Sequence, residues 1–210
     1  MKCRSKLSLI AASLWLAASS ANALEAKITL EDLPVLAPEA QHATASKRVT
    51  SRFTRSHYKH FTLNDQFSQA IFQRYVESLD FNRNVFTQAD IDSFNKWAAG
   101  IDDQLKSGDN QIAFDIYNLS MKRRYERFVY ALSLLDKEMK FDTDESIELD
   151  RSEAAWPKDT AELDELWRKR VKYDALNLKL TGKDWEEIKD VLGKRYNNAL
   201  KRLSQTHNED

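Results

Sequence analysis

An all-α fold is the expectation for this 210-residue chain, and three observations set it. Apolar residues recur at three- and four-residue intervals along most of the sequence, the spacing that puts them on one helix face. Capping signatures stand at the heads of several such runs, and no stretch shows the strict alternation of a half-buried strand. Four glycines and three prolines are too few for the many tight turns of a sheet-rich fold. With 42% hydrophobic and 31% charged residues, the composition is that of a folded domain rather than a disordered tail.

The elements follow in order. Lys2, Arg4 and Lys6 are followed by an uncharged apolar run from Leu7 to Ala18 and by Ala21-Asn22-Ala23. This is the layout of a secretory leader cleaved after Ala23, and the run is well short of the roughly 20 residues that span a bilayer. Residues 1–23 are therefore read as a signal peptide and 24–210 as one helical domain. Without the leader the chain holds 29 basic and 33 acidic side chains, a net charge of −4, and no cysteine, since Cys3 is the only one. A cysteine-free chain suits an oxidising compartment, and a mildly acidic one has no general attraction for nucleic acid or an anionic membrane. The expected location is the periplasm, with no membrane span and no nucleic-acid partner.

Pro34 and Pro38 make the entry to the domain irregular. A first, polar helix is predicted over 39–58, with Val49, Phe53 and His57 on one face. Asn64 or Asp65 caps a second whose stripe is Phe67, Ala70, Ile71, Tyr75 and Leu79. Thr87 and Asp90 form a capping box for a third, with Ile91, Phe94, Ala98, Ile101 and Leu105 inward and Gly108 as its C-terminal cap. Asp109 or Asn110 opens the longest pattern, about 28 residues to Met139, which would span roughly 42 Å. Residues 141–158 break the periodicity with acidic residues and Pro157, a loop expected to yield first to proteases unless Trp156 anchors it. Asp159 and Glu162 cap a helix carrying Leu163, Leu166, Trp167, Val171 and Leu178. After the Thr181-Gly182 turn, a last helix carries Trp185, Ile188, Leu192, Tyr196, Ala199 and Leu203.

Few residues point to chemistry. There is no GxSxG and no glycine-rich loop to cradle an oxyanion or a phosphate. Serines and lysines are abundant, and no spacing singles out one pair. His57 and His60 form an HxxH that lacks the glutamate and third ligand of a zinc hydrolase, so it reads as a surface or packed pair. Lys122 to Arg127 alternate bases with Tyr125 as a phosphate-binding patch would. Within a helix, however, they wrap the whole cylinder, which suits a solvated face with interhelical salt bridges. No catalytic, cofactor-binding or metal-binding residue is assigned, and no cofactor is expected.

Four segments carry a resemblance: VTSRFTRSHY at 49–58, YNLSMKRRYERFVYALSLL at 117–135, LDRSEAAWP at 149–157 and VKYDALNLKLTGK at 171–183. Together they resemble, in order, the N-terminal region of the C-terminal processing peptidases, exported serine endopeptidases that recognise an apolar substrate C-terminus. The resemblance implies a helical N-terminal domain followed by a PDZ domain and a Ser/Lys catalytic core. No residue of this sequence corresponds to either catalytic position, so the chain is expected to be inactive alone. Its expected role is as a packing surface for the PDZ and protease domains and as an interaction surface for protein substrates or a periplasmic accessory protein. The alternative is a stand-alone periplasmic helical adaptor. Because the family's chain runs on beyond the last helix, the stripe through Leu192, Tyr196, Ala199 and Leu203 is expected to be exposed here and to favour self-association.

Overall fold

A computed structural model describes residues 27–58 and 62–207. Among these residues there are seven α-helices and no strand: α1 (Ala40–Ser56), α2 (Asp65–Leu79), α3 (Gln88–Asn95), α4 (Ile101–Ser107), α5 (Gln111–Ser133), α6 (Thr160–Leu180) and α7 (Trp185–Ser204). The fold is all-α. Residues 1–23, expected to be a leader, and His60 lie outside the described residues.

Local chemistry sets the helix starts. The Asn64 carboxamide oxygen accepts from the Phe67 amide, and the Thr87 hydroxyl accepts from the Asp90 amide while the Asp90 carboxylate accepts from Thr87 N–H. Asp159 accepts from Glu162 N–H, but Glu162 reaches back to Lys158 rather than to Asp159, so that box is displaced by one residue. Gly108 ends α4 at φ +79°, in the left-handed region. A Cβ there would lie 2.8 Å from the Ala43 carbonyl oxygen, so glycine also permits the close approach of α1.

Two hydrophobic clusters share α5. Toward its N-terminal half, Phe72 and Val76 of α2, Phe86, and Ile91 and Phe94 of α3 close around Ile116. Toward its C-terminal end, Ala131, Leu132 and Leu135 pack with Leu163, Trp167, Val171 and Ala175 of α6 and with Ile188, Leu192, Tyr196 and Leu200 of α7. Each large side chain so buried contributes about 1.5–3 kcal/mol. The entry segment straps over both: Leu36 exchanges two hydrogen bonds with the Asn118 carboxamide (2.9 and 2.8 Å), and Lys27 N–H reaches Asn197.

Four expectations are corrected. The predicted third helix is two, because 96–100 form a turn with i to i−3 bonds at Trp97, Ala98 and Gly100; glycine is a poor helix former, and the Asp102 amide is held instead by Ser68 Oγ. The long helix stops at Ser133 and tightens into a 3-10 turn at Leu134–Asp136, so its 23 residues span about 35 Å. The buried face of α2 is Ser68, Phe72 and Val76, one residue round from the expected stripe, and Ala70 is exposed. Val49 and Phe53 of α1 share a face as their spacing predicts, and that face is 66% and 45% exposed at the two residues. Finally, the α7 stripe is not exposed: Leu192, Tyr196 and Leu200 are buried, and Ala199 and Leu203 are half-buried at its edge.

The 137–159 connection lacks regular structure but is tied down. Glu145 pairs with Arg168 and Lys172, Pro157 O accepts from Gln88 N–H at 2.7 Å, and the Trp156 ring lies 6.3 Å from that of Phe86.

Candidate functional site

The residues singled out as a basic patch form the polar spine of α5. Arg123 donates to both carboxylate oxygens of Asp90 and to Glu126. Arg124 donates to the Leu79 carbonyl, capping the end of α2. Arg127, buried, pairs with Asp164 of α6 and lies 5.4 Å from the Tyr130 ring centroid. Lys122 remains exposed. The run thus links α5 to α2, α3 and α6. It offers no continuous cationic face to a phosphate backbone, and the interhelical reading of the sequence describes it.

Two carboxylates beside this spine have opposite electrostatics. Asp80 follows α2 and is buried, which pushes its carboxyl above the ordinary value, although the amides of Asn84, Val85 and Phe86 donate to it and Arg124 is near. Burial also acts to raise Asp90, but the Arg123 guanidinium and the Thr87 donors outweigh it and hold the carboxyl below the ordinary range. Burial lifts the hydroxyls of Tyr75 and Tyr196 to about 12; the Tyr75 hydroxyl donates to the Ala113 carbonyl. Among the described residues, the side-chain partners of Asp80 and Asp90 are backbone amides, Thr87 and Arg123, and none is a serine or cysteine.

His57 is the C-terminal cap residue of α1, its ring 4.9 Å from Phe53 and 4.7 Å from Tyr58. Its partner in the HxxH pattern, His60, is outside the described residues. Among the described residues, no three His, Cys, Asp or Glu side chains cluster so as to hold a metal ion, and no helix is long and apolar enough to cross a membrane.

Concave surface lies elsewhere. A cleft of about 470 Å³ opens between α2 and the α3–α4 turn, with Phe72, Val76 and Ile91 as its floor and Gln69, Gln73 and Asn95 among its rim. Arg83 and Trp156 close one end. Arg83 has φ +49°, a left-handed backbone, and its guanidinium donates to the Ala154 carbonyl and lies 5.5 Å from the Trp156 ring centroid. Sequence reading missed this corner; the signal available was the Asp80–Arg83 turn, which precedes a short apolar pair and a capping box. A second groove of about 250 Å³, mainly apolar, is lined by Leu36, Tyr75, Leu79, Phe114 and Tyr117.

Comparison with known proteins gives these surfaces their context. Residues 49–210 match the family described as the tail specific protease N-terminal domain. The chain is 51% identical, over 179 residues, to the tail-specific protease of Haemophilus influenzae. That alignment covers 85% of this chain and 26% of the relative, so the chain spans about a quarter of that relative's length. A match to the B melanoma antigen family is confined to residues 1–37, too little of the chain to show a family. With its helical architecture and a match over most of its length, the chain belongs to the tail-specific protease N-terminal domain family.

Proposed function

We propose that this chain is the non-catalytic helical N-terminal portion of an exported tail-specific serine endopeptidase, carried to the periplasm by a leader cleaved after Ala23. The observation that carries the reading is the N-terminal-domain match over residues 49–210. The PDZ and Ser/Lys protease domains of such an enzyme are its first partners. Protein substrates or a periplasmic accessory protein are further ones.

The surface chemistry supports a packing and interaction role. The groove at Leu36, Tyr75, Leu79, Phe114 and Tyr117 presents apolar side chains beside a rigid helix, the kind of patch that another domain covers. A hydrolytic role needs a nucleophile with a base about 3 Å away and preorganised donors for the oxyanion, and the arginine spine supplies neither.

Purified chain mixed with an unstructured polypeptide bearing an apolar C-terminus should leave it intact. Turnover that disappears on changing one particular serine would overturn the non-catalytic reading. N-terminal sequencing of periplasmic material should begin Leu24-Glu25-Ala26, and recovery of intact Met1 would count against the leader.

A further inference from the structure

The face that α1 turns toward α4 has an unusual composition. Ala43 and Ser46 make the contact with α4, and beside them Lys47, Thr50, Ser51, Thr54 and Arg55 recur at i, i+3, i+4, i+7 and i+8 as a continuous polar stripe on a helix that contributes no buried residue. The stripe lines a cleft of about 460 Å³, together with Lys106 of α4. Three hydroxyls are flanked by a cation at each end. Between Glu39 and Asp65 the sequence holds no carboxylate at all.

Lys106 is paired with Asp102 and Asp103, but no ion pair among the described residues engages Lys47 or Arg55. By contrast, Arg123, Arg127, Arg151, Arg168 and Arg195 each have a carboxylate partner. The Thr54 hydroxyl donates to the Thr50 and Ser51 carbonyls, which fixes its rotamer and leaves its lone pairs outward. No hydrogen bond within the described residues occupies the Thr50 or Ser51 hydroxyl. On a chain that is net acidic without its expected leader, Lys47, Arg55 and the Thr50 and Ser51 hydroxyls are donors with no ion pair or hydrogen bond among the described residues.

We propose that the α1–α4 cleft binds a phosphate group. The Lys47 ammonium and the Arg55 guanidinium, roughly two turns apart with hydroxyls between them, match an anion that has several acceptor oxygens, and a guanidinium pairs with phosphate in two-point fashion. The phosphate belongs either to an anionic lipid headgroup or to a small soluble compound.

Titration of the chain with inorganic phosphate, followed by calorimetry and by amide shifts in α1, tests the site. Co-sedimentation with phosphatidylglycerol vesicles, against phosphatidylcholine vesicles, tests the lipid source. Saturable binding of inorganic phosphate with shifts confined to α1 and α4 supports a soluble source. Binding that needs phosphatidylglycerol vesicles supports a headgroup. In either case Lys47→Ala/Arg55→Ala should weaken binding by about tenfold or more, and Thr50→Ala/Ser51→Ala by about threefold. Because α1 buries none of these side chains, the variants should melt like the parent. The outward pair Arg48→Ala/Arg52→Ala should change binding less than twofold. An equal loss in that variant would mean diffuse attraction rather than a site and would overturn the proposal, as would failure to bind either probe or equal binding to both kinds of vesicle.

Discussion

Arg123 meets Asp90 fork to fork: its Nε and Nη2 lie 3.0 and 2.7 Å from the two carboxylate oxygens. The same carboxylate accepts from the backbone and hydroxyl of Thr87, so one acidic residue both starts α3 and fastens it to α5. Asp90 is almost fully buried, and Arg123 is about a third exposed. Replacing Asp90 by Ala should therefore cost about 3 kcal/mol, since the cap is lost and a largely desolvated guanidinium loses its main partner. Urea denaturation followed by circular dichroism measures this, and a loss under 1 kcal/mol would show the pair to be incidental.

The same pair gives a pH signature. The Asp90 carboxyl is held below its ordinary value of 3.8, so its stabilisation is complete above that pH and fades as the pH falls through the lower, folded value. Asp80, raised by burial, works in the opposite sense, its contribution improving as the pH falls. Comparing the parent with Asp90→Asn cancels Asp80, which both contain. The gap in melting temperature should stay constant from pH 7 to about 5 and narrow below about 4. A gap that widens in acid would reverse the assignment.

Trp156 should control access to the 137–159 connection. Its ring packs into the first cluster and lies beside Arg83, while Glu145 and Pro157 hold the flanks. The parent should resist trypsin at Lys140 and Arg151 under native conditions. Trp156→Ala should be cut there at least tenfold faster, as local opening loses on the order of 3 kcal/mol of protection. Mass spectrometry of early fragments reads the result.

Leu192 and Leu203 should behave very differently. Leu192 is wholly buried between α5, α6 and α7, so Leu192→Ser should destabilise by about 3–5 kcal/mol. Leu203 is half-buried at the helix end, and Leu203→Ser should cost about 1 kcal/mol. Chemical denaturation of the two single variants separates them.

These contrasts show where the sequence was legible. Ile91 and Phe94, Leu163 and Trp167, Ile188 and Leu192 are all where their periodicity puts them, because in these helices the apolar face and the packing partner coincide. Capping at Thr87 and Asp159 was readable for the same local reason. The packing of α1 was not, because Val49 and Phe53, its largest apolar residues, share a face yet stay exposed, whereas the hydroxyl residues Thr50, Ser51 and Thr54 are half-buried. Nor was the shift in α2, where Ser68 occupies the buried position because its hydroxyl satisfies Asp102, a partner 34 residues away. The Arg83–Trp156 corner and the Asp90–Arg123 pair join residues 73 and 33 positions apart, and helical periodicity carries no signal at that range.

The connection between Trp156 and Trp167 has a consequence for the order in which the chain matures. Trp156 completes the first cluster, Pro157 accepts from Gln88, and the Trp167 indole N–H donates to the Asn84 carbonyl at 2.6 Å. Helices α2 to α5 are therefore made and extruded well before the side chains that finish their own core. A growing polypeptide displaying only residues up to the end of α5 holds Phe86 and Phe94 without their lid. Vectorial folding of the first half must wait for the second, and ribosome-bound intermediates arrested shortly after residue 133 should bind a chaperone that arrest beyond α6 releases.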